Sequence, residues 1–365
     1  MAVVSWFRRL RGSTWAALWL SGLLGACSTA HYPINPKLDR VEAGHGYRSL
    51  RTLATDPADR FFLHVAISGG GARAAALGHG VLEALRDTPI RWEGRERRLV
   101  DELDMLMGVS GGSMLAGWYA LHGADGLAAF EREFLDARLQ GELVGRILSP
   151  RGLWRVQSPR FGRGDLLAEL LDERLYKGAT FAQLSKKPRK PFVILYATDM
   201  GTGGRFEFVQ DQFDYLCSDL DGVPIARAVA ASSAAPIVLS PITLWNHAAA
   251  SGEGCGEPLM TGQMRALGPN PAAAQRLAEV EMLRAAGPNG LERPFIHLLD
   301  GGLSDNIGAR GPIEYVALSG NMVEGTRRAG YRNVRRVVFV MVNAETSARA
   351  PEDQSADLPM RMIAA

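Results

Sequence analysis

Ser110 stands in Gly108-Val109-Ser110-Gly111-Gly112, where an apolar run from Leu103 to Val109 leads a hydroxyl into a turn with three glycines. A serine on a tight strand-to-helix turn projects its Oγ away from the backbone, and small neighbours let a substrate carbonyl approach closely. That is the arrangement of an acyl-transfer nucleophile. Two further blocks suit the same chemistry. Ser68-Gly69-Gly70-Gly71-Ala72-Arg73 follows the apolar run Phe61–Ile67. Residues without Cβ can aim successive backbone N–H groups at one point, and the helix that follows adds its positive end. Asp300-Gly301-Gly302 follows a third apolar run at 295–299 and places a carboxylate at a strand end, where it can act as a base. Each block alone has a plainer reading. D-G-G is a common turn, and Gly69, Gly71 and Ala74 also satisfy a loose G-x-G-x-x-A dinucleotide fingerprint. Together, and without a G-K-[ST] element, they point to ester hydrolysis.

These three blocks, in this order, resemble the patatin-like phospholipase family over residues 61–344. Ala197-Thr198-Asp199 and Ala230-Ala231-Ser232-Ser233-Ala234-Ala235-Pro236 are weaker points of likeness. The resemblance implies a three-layer α/β/α fold with a mostly parallel sheet, and a lipid acyl hydrolase of phospholipase A or lysophospholipase type. It makes Ser110 the nucleophile and Asp300 the base of a Ser-Asp dyad without histidine. It places the oxyanion hole in the run Gly69, Gly70 and Gly71, at Gly70 and Gly71 in particular, with Gly111 a further donor. Gly108, Gly112, Gly301 and Gly302 complete the motifs. Arg73 is expected to anchor the glycine loop, its second reading being a contact for a phosphate head group. No metal or other cofactor is implied. Two alternatives stay open: a Ser-His-Asp esterase, and a non-catalytic lipid-binding lipoprotein. In the α/β-hydrolase order histidine comes last, yet none follows Asp300; only His247 or His297 with an earlier acid fits that order.

The motifs need strands to carry them. Apolar runs at Phe61–Ile67, Leu103–Val109, 192–197, 237–244, 295–299 and 337–342 read as strands. Helical composition lies between them at 72–86, 113–121, 127–139, 166–175, 225–232 and 313–318. This alternation predicts an α/β sheet with its sites at the carboxyl ends of strands. Residues 246–293 break the pattern, being rich in Ala, Gly and Pro with one helix near 272–286, and read as an insertion within a domain spanning 60–345. His79 is expected to pack, Asp199, Asp305 and Asn306 to brace loops, and Ser232-Ser233 to end a helix. The stretch 148–161, with Trp154, reads as part of an acyl-chain entrance.

Residues 1–26 carry Arg8, Arg9 and Arg11, no acidic residue, and an apolar segment too short to span a bilayer, which reads as a signal peptide. Leu24-Gly25-Ala26-Cys27 resembles a bacterial lipobox, so Cys27 is expected to be acylated and to anchor the protein at a membrane, most simply the outer one, facing the periplasm or exterior. Residues 27–59 read as a tether and 346–365 as a polar tail. Losing three arginines takes a formal charge of +2 to about −1, and no basic run suggests nucleic acid as a partner. Membrane lipid is the expected partner and substrate. Cys217 and Cys255 are the cysteines that remain, and in an oxidising compartment they are expected to pair.

Overall fold

The computed structural model describes residues 29–49, 61–92, 94–186, 190–248, 254–284, 293–328 and 331–345. Cys27, the signal segment and the polar tail lie outside the described residues. The strands are β1 (Phe61–Ile67), β2 (Pro89–Trp92), β3 (Arg95–Arg98), β4 (Leu103–Val109), β5 (Phe192–Asp199), β6 (Arg205–Glu207), β7 (Ile242–Trp245), β8 (Phe295–Asp300) and β9 (Arg336–Val342). The helices that matter here are α1 (Gly71–Asp87), α2 (Gly111–His122), α3 (Leu139–Leu148), α4 (Pro150–Arg155), α5 (Arg163–Leu171), α6 (Ile225–Ser232), α7 (Pro271–Glu281), α8 (Arg310–Ser319) and α9 (Met322–Arg328).

A central sheet runs in the order β7-β8-β5-β4-β1-β9, with β6 paired to β5; β2 and β3 form a separate hairpin. Strands β9, β1, β4 and β5 are parallel, while β8, β7 and β6 run antiparallel to their neighbours. The sheet is thus mostly parallel and flanked by helices, as the alternation predicts. β4 and β5 are buried along their whole length, as strands covered on both faces must be, and this explains why they are apolar except for Asp104, Thr198 and Asp199. α2 is buried almost throughout and packs on β4 and β5 beside α1 and α6.

Register is what gathers the motifs. Ile67 pairs with Gly108, Val109 with Tyr196, and Ala197 with Asp300. The glycine loop, the serine turn and the aspartate turn therefore leave neighbouring strands at one level.

Two expectations need correction. The apolar run 237–244 is a strand only from Ile242: Pro236, Ile237 and Val238 form an exposed turn, with Ile237 at φ 72°. A proline followed by a residue in the left-handed region cannot continue a ladder. The described part of the expected tether is docked on the domain. Leu38 and Tyr47 are buried, the Tyr47 hydroxyl accepts from the Val193 N–H, and Arg48 pairs with buried Asp214 at 2.9 Å. Cys217 and Cys255 form a disulfide, and their carbonyls accept from the N–H groups of Leu38 and Val41.

Candidate active site

Ser110 sits between β4 and α2 with φ 49° and ψ −118°, a backbone conformation that is costly for a residue with a side chain. Gly111 makes the turn possible, because a Cβ there would collide with the Gly71 carbonyl. The two helix starts, α1 at Gly71 and α2 at Gly111, are therefore pressed together beside the serine. The Ser110 N–H donates to Ser232 Oγ at 2.9 Å, which fixes the turn from the end of α6.

The Ser110 hydroxyl donates to Asp300 Oδ2 at 2.7 Å. The other carboxylate oxygen accepts the Gly302 N–H at 2.8 Å, which orients the group. The backbone at this turn is tied to α6: Asp300 N–H donates to Ala234 O and Gly301 N–H to Ser232 O. Thr198 Oγ1 holds the Asp300 carbonyl and Ser304. Burial pushes the Asp300 carboxyl above the usual aspartate range, and the hydrogen bonds from Ser110 and Gly302 pull part of the way back. A carboxylate so placed is a stronger base than one in water.

The glycine loop divides into two functions. Gly69, expected among the oxyanion donors, has its N–H committed to Asn306 O at 2.9 Å. It therefore supports the loop. The N–H groups of Gly70, Gly71 and Gly111 donate to no acceptor among the described residues. Gly70 has φ 136° and Gly71 φ 60°, values that glycine reaches without strain. Gly108 ends the β4 pairing with β1 and Gly112 is the second residue of α2. Arg73 does not anchor the loop as expected: it is exposed and makes no ion pair or side-chain hydrogen bond among the described residues.

The supporting residues behave as their types suggest. Asp305 caps the N–H groups of Gly308, Ala309 and Arg310, and Asp199 is held by Arg293 and Thr202. Ser232 and Asn306 were read only as a helix end and a loop brace, yet they hold the serine turn and the glycine loop. The likeness at 230–236 was the one signal for Ser232.

The seven histidines are all engaged elsewhere. His79 meets the Leu127 carbonyl, His247 the Asn35 carbonyl, His297 the Thr243 hydroxyl, and His45 pairs with Asp219. His64 is buried in β1 between Phe62 and Phe339, where desolvation pushes it down to about 3. His122 packs on Trp118, and His31 meets the Thr29 carbonyl. Burial likewise lowers His297, offset in part by Asp199. Metal-ligand atoms come together among the described residues at His45, Asp219 and Asp221, within 4.8 Å of one another. That cluster is bound up in the loop after Cys217, with Asp219 bonded to His45 and Asp221 to Ser185. Among the described residues no helix is long and apolar enough to cross a membrane.

None of the curated proteins matches the chain. Among solved structures, human GIVD cytosolic phospholipase A2 is similar at 14% identity and a TM-score of 0.39, the match covering 72% of this chain and 43% of that one. The chain thus spans less than half the length of that protein. A family model described as patatin-like phospholipase matches residues 65–313, and the protein therefore belongs to the patatin-like phospholipase family.

Proposed function

We propose that this protein hydrolyses fatty-acyl esters of membrane lipids with Ser110 as nucleophile and Asp300 as base. The observation that carries the reading is the 2.7 Å hydrogen bond from the Ser110 hydroxyl to Asp300, made by a serine held in a strained turn. In the first half-reaction Ser110 Oγ attacks the ester carbonyl as its proton passes to Asp300 Oδ2. The Gly70 and Gly71 amides, with Gly111, receive the developing oxyanion, and each such donor is worth roughly 2.7–4 kcal/mol in the transition state. Asp300 then returns the proton to the leaving alcohol. In the second half-reaction Asp300 takes a proton from water, which attacks the acyl-enzyme, and returns that proton to Ser110 Oγ as the Oγ–acyl bond breaks and the fatty acid leaves.

No cofactor enters this scheme. Arg73, exposed beside the glycine loop, is free to meet an anionic head group. The chain acts at a bacterial membrane to which acylated Cys27 tethers it, facing the periplasm or exterior, and the Cys217–Cys255 bond fits an oxidising compartment. The Ser-His-Asp alternative lacks a base, since every described histidine is committed away from Ser110.

A fluorophosphonate probe tests the reading. It is expected to label the wild-type chain at Ser110, to leave Ser110→Ala unlabelled, and to label Asp300→Asn far more slowly. A folded wild-type chain that never labels leaves only the lipid-binding alternative.

A further inference from the structure

We propose that Leu153 and Trp154 of α4, together with the Ile237–Val238 turn, form the face by which this protein docks on an anionic lipid bilayer. All four side chains are apolar and exposed, at 46%, 43%, 78% and 52% respectively. Soluble proteins rarely gather large apolar groups in one exposed patch without a partner. Here the two pairs are connected through residues 155–164. Arg155, next to Trp154, lies over the Phe161 ring at 4.0 Å, and two residues further on Arg163 Nη2 donates to the Ile237 carbonyl at 2.8 Å. Gly164 N–H is held by Ser240 Oγ just beyond the turn.

The turn is built outward at a cost. Ile237 is β-branched yet has φ 72°, the region such residues avoid most strongly. Backbone strain of this kind persists where the surrounding structure enforces it, and it is concentrated at functional sites. The same loop begins at the active site: Ser232 accepts from Ser110 N–H, and Ala234 O from Asp300 N–H. Only four residues therefore separate Ser232, which fixes the serine turn, from Ile237, the most exposed apolar side chain of the patch.

The position of Ala30 and the charge around the patch favour a membrane as its occupant. Ala30 accepts a hydrogen bond from Ser158 Oγ at 2.6 Å, and Tyr32 N–H donates to Arg160 O at 2.8 Å. Ala30 is three residues from Cys27 in the sequence, so an acyl anchor at Cys27 would keep the neighbourhood of Ser158 and Arg160 near the lipid. Charge agrees: Arg151 and Arg160 border the patch, exposed and without a carboxylate partner among the described residues. Arginines around an apolar patch suit phosphate head groups and their negative surface potential.

The inference draws its biological meaning from the acyl-hydrolase reading, but its test does not depend on activity. The Cys27→Ala chain, in which acylation contributes nothing, is labelled with an environment-sensitive fluorophore at Val238→Cys or, for reference, at Arg328→Cys on α9. Vesicles of phosphatidylethanolamine and phosphatidylglycerol are expected to shift the emission to the blue at position 238 and to leave position 328 water-like. Ile237→Gly with Val238→Ser is expected to lower vesicle binding roughly tenfold while turnover of a water-soluble short-chain ester stays the same. Glycine accepts the backbone of position 237 without strain, so this variant keeps its fold. Phosphatidylcholine vesicles are expected to bind more weakly. Water-like emission at position 238 in a vesicle-bound chain, unchanged binding by the double variant, or equal binding to both vesicle types would overturn the proposal. Ser110→Ala docks like wild type under this inference, so a chain that docks but never hydrolyses sinks the enzyme reading alone.

Discussion

On the parallel side of the sheet, β1 and β4 each lead straight into a helix, and the glycine loop and Ser110 sit in those two turns. On the antiparallel side, β8 carries Asp300 into the site from beyond residues 246–293, and α6 and β7 brace it. One half is built from local β-α units, in which the strand, the turn and the helix start are contiguous. The other depends on contacts between segments far apart in the chain, 190 residues in the case of Ser110 and Asp300. Ser110 is thus placed by local geometry and Asp300 by assembly, and perturbations should separate the two.

The sharpest separation comes from exchanging the chemical groups themselves. Ser110→Ala and Asp300→Asn should each lower kcat by about 10³-fold or more with little change in KM. They should differ in stability. Because burial raises the Asp300 pKa in the folded protein, folding disfavours its ionised form at any pH above that raised value. Asp300→Asn should therefore raise Tm at neutral pH and give no gain under acid conditions where wild-type Asp300 is protonated. Wild-type activity should fall on acidification at a pH above the usual aspartate range. Near wild-type turnover in folded Asp300→Asn would remove the base assigned here.

Opening the disulfide should act on the antiparallel half alone. Cys217 and Cys255 are 38 residues apart, a separation for which loop closure is worth about 3–4 kcal/mol. Cys255→Ser should lose stability of that order, and hydrogen exchange should rise around β7 and the segments docked on the loop before it rises in β1 or β4. Uniform loss of protection across the sheet would contradict the division. On the parallel side, Gly111→Ala should cost about 1–3 kcal/mol by forcing α1 and α2 apart, with a drop in kcat and no change in β8 protection. The smallest effects belong to the histidines. His247→Ala and His297→Ala should keep kcat within about threefold, and collapse of either one would restore the triad.

The division also explains what could be read in the chain. β1 and β4 were legible to the residue, because a strand buried on both faces writes a mostly apolar run and a glycine turn ends it; α6 was legible as a short apolar helix. The residues 237–244 misled for the same reason in reverse: an apolar run whose first members, Ile237 and Val238, face solvent looks like a buried strand. Periodicity records apolarity and not the direction a side chain takes. The antiparallel course of β8 and β7 was equally silent, since strand direction depends on how the insertion folds back. Gly69 was grouped with its neighbours until the Asn306 carbonyl, over two hundred residues away, took its N–H.

The sequence by itself determined the chemistry on offer and the turns that present it. Residue type fixes which atoms can attack, accept a proton or donate an N–H, and glycine spacing fixes where the backbone can bend sharply. Tertiary structure decided which of those groups meet. Strand register brought Asp300 within hydrogen-bond reach of Ser110, Ser232 and Asn306 gained their roles through long-range hydrogen bonds, and the docking of residues 29–49 brought Ala30 and Tyr32 against Ser158 and Arg160. These are contacts between distant segments, and no local pattern encodes them because their energy exists only once the core has formed.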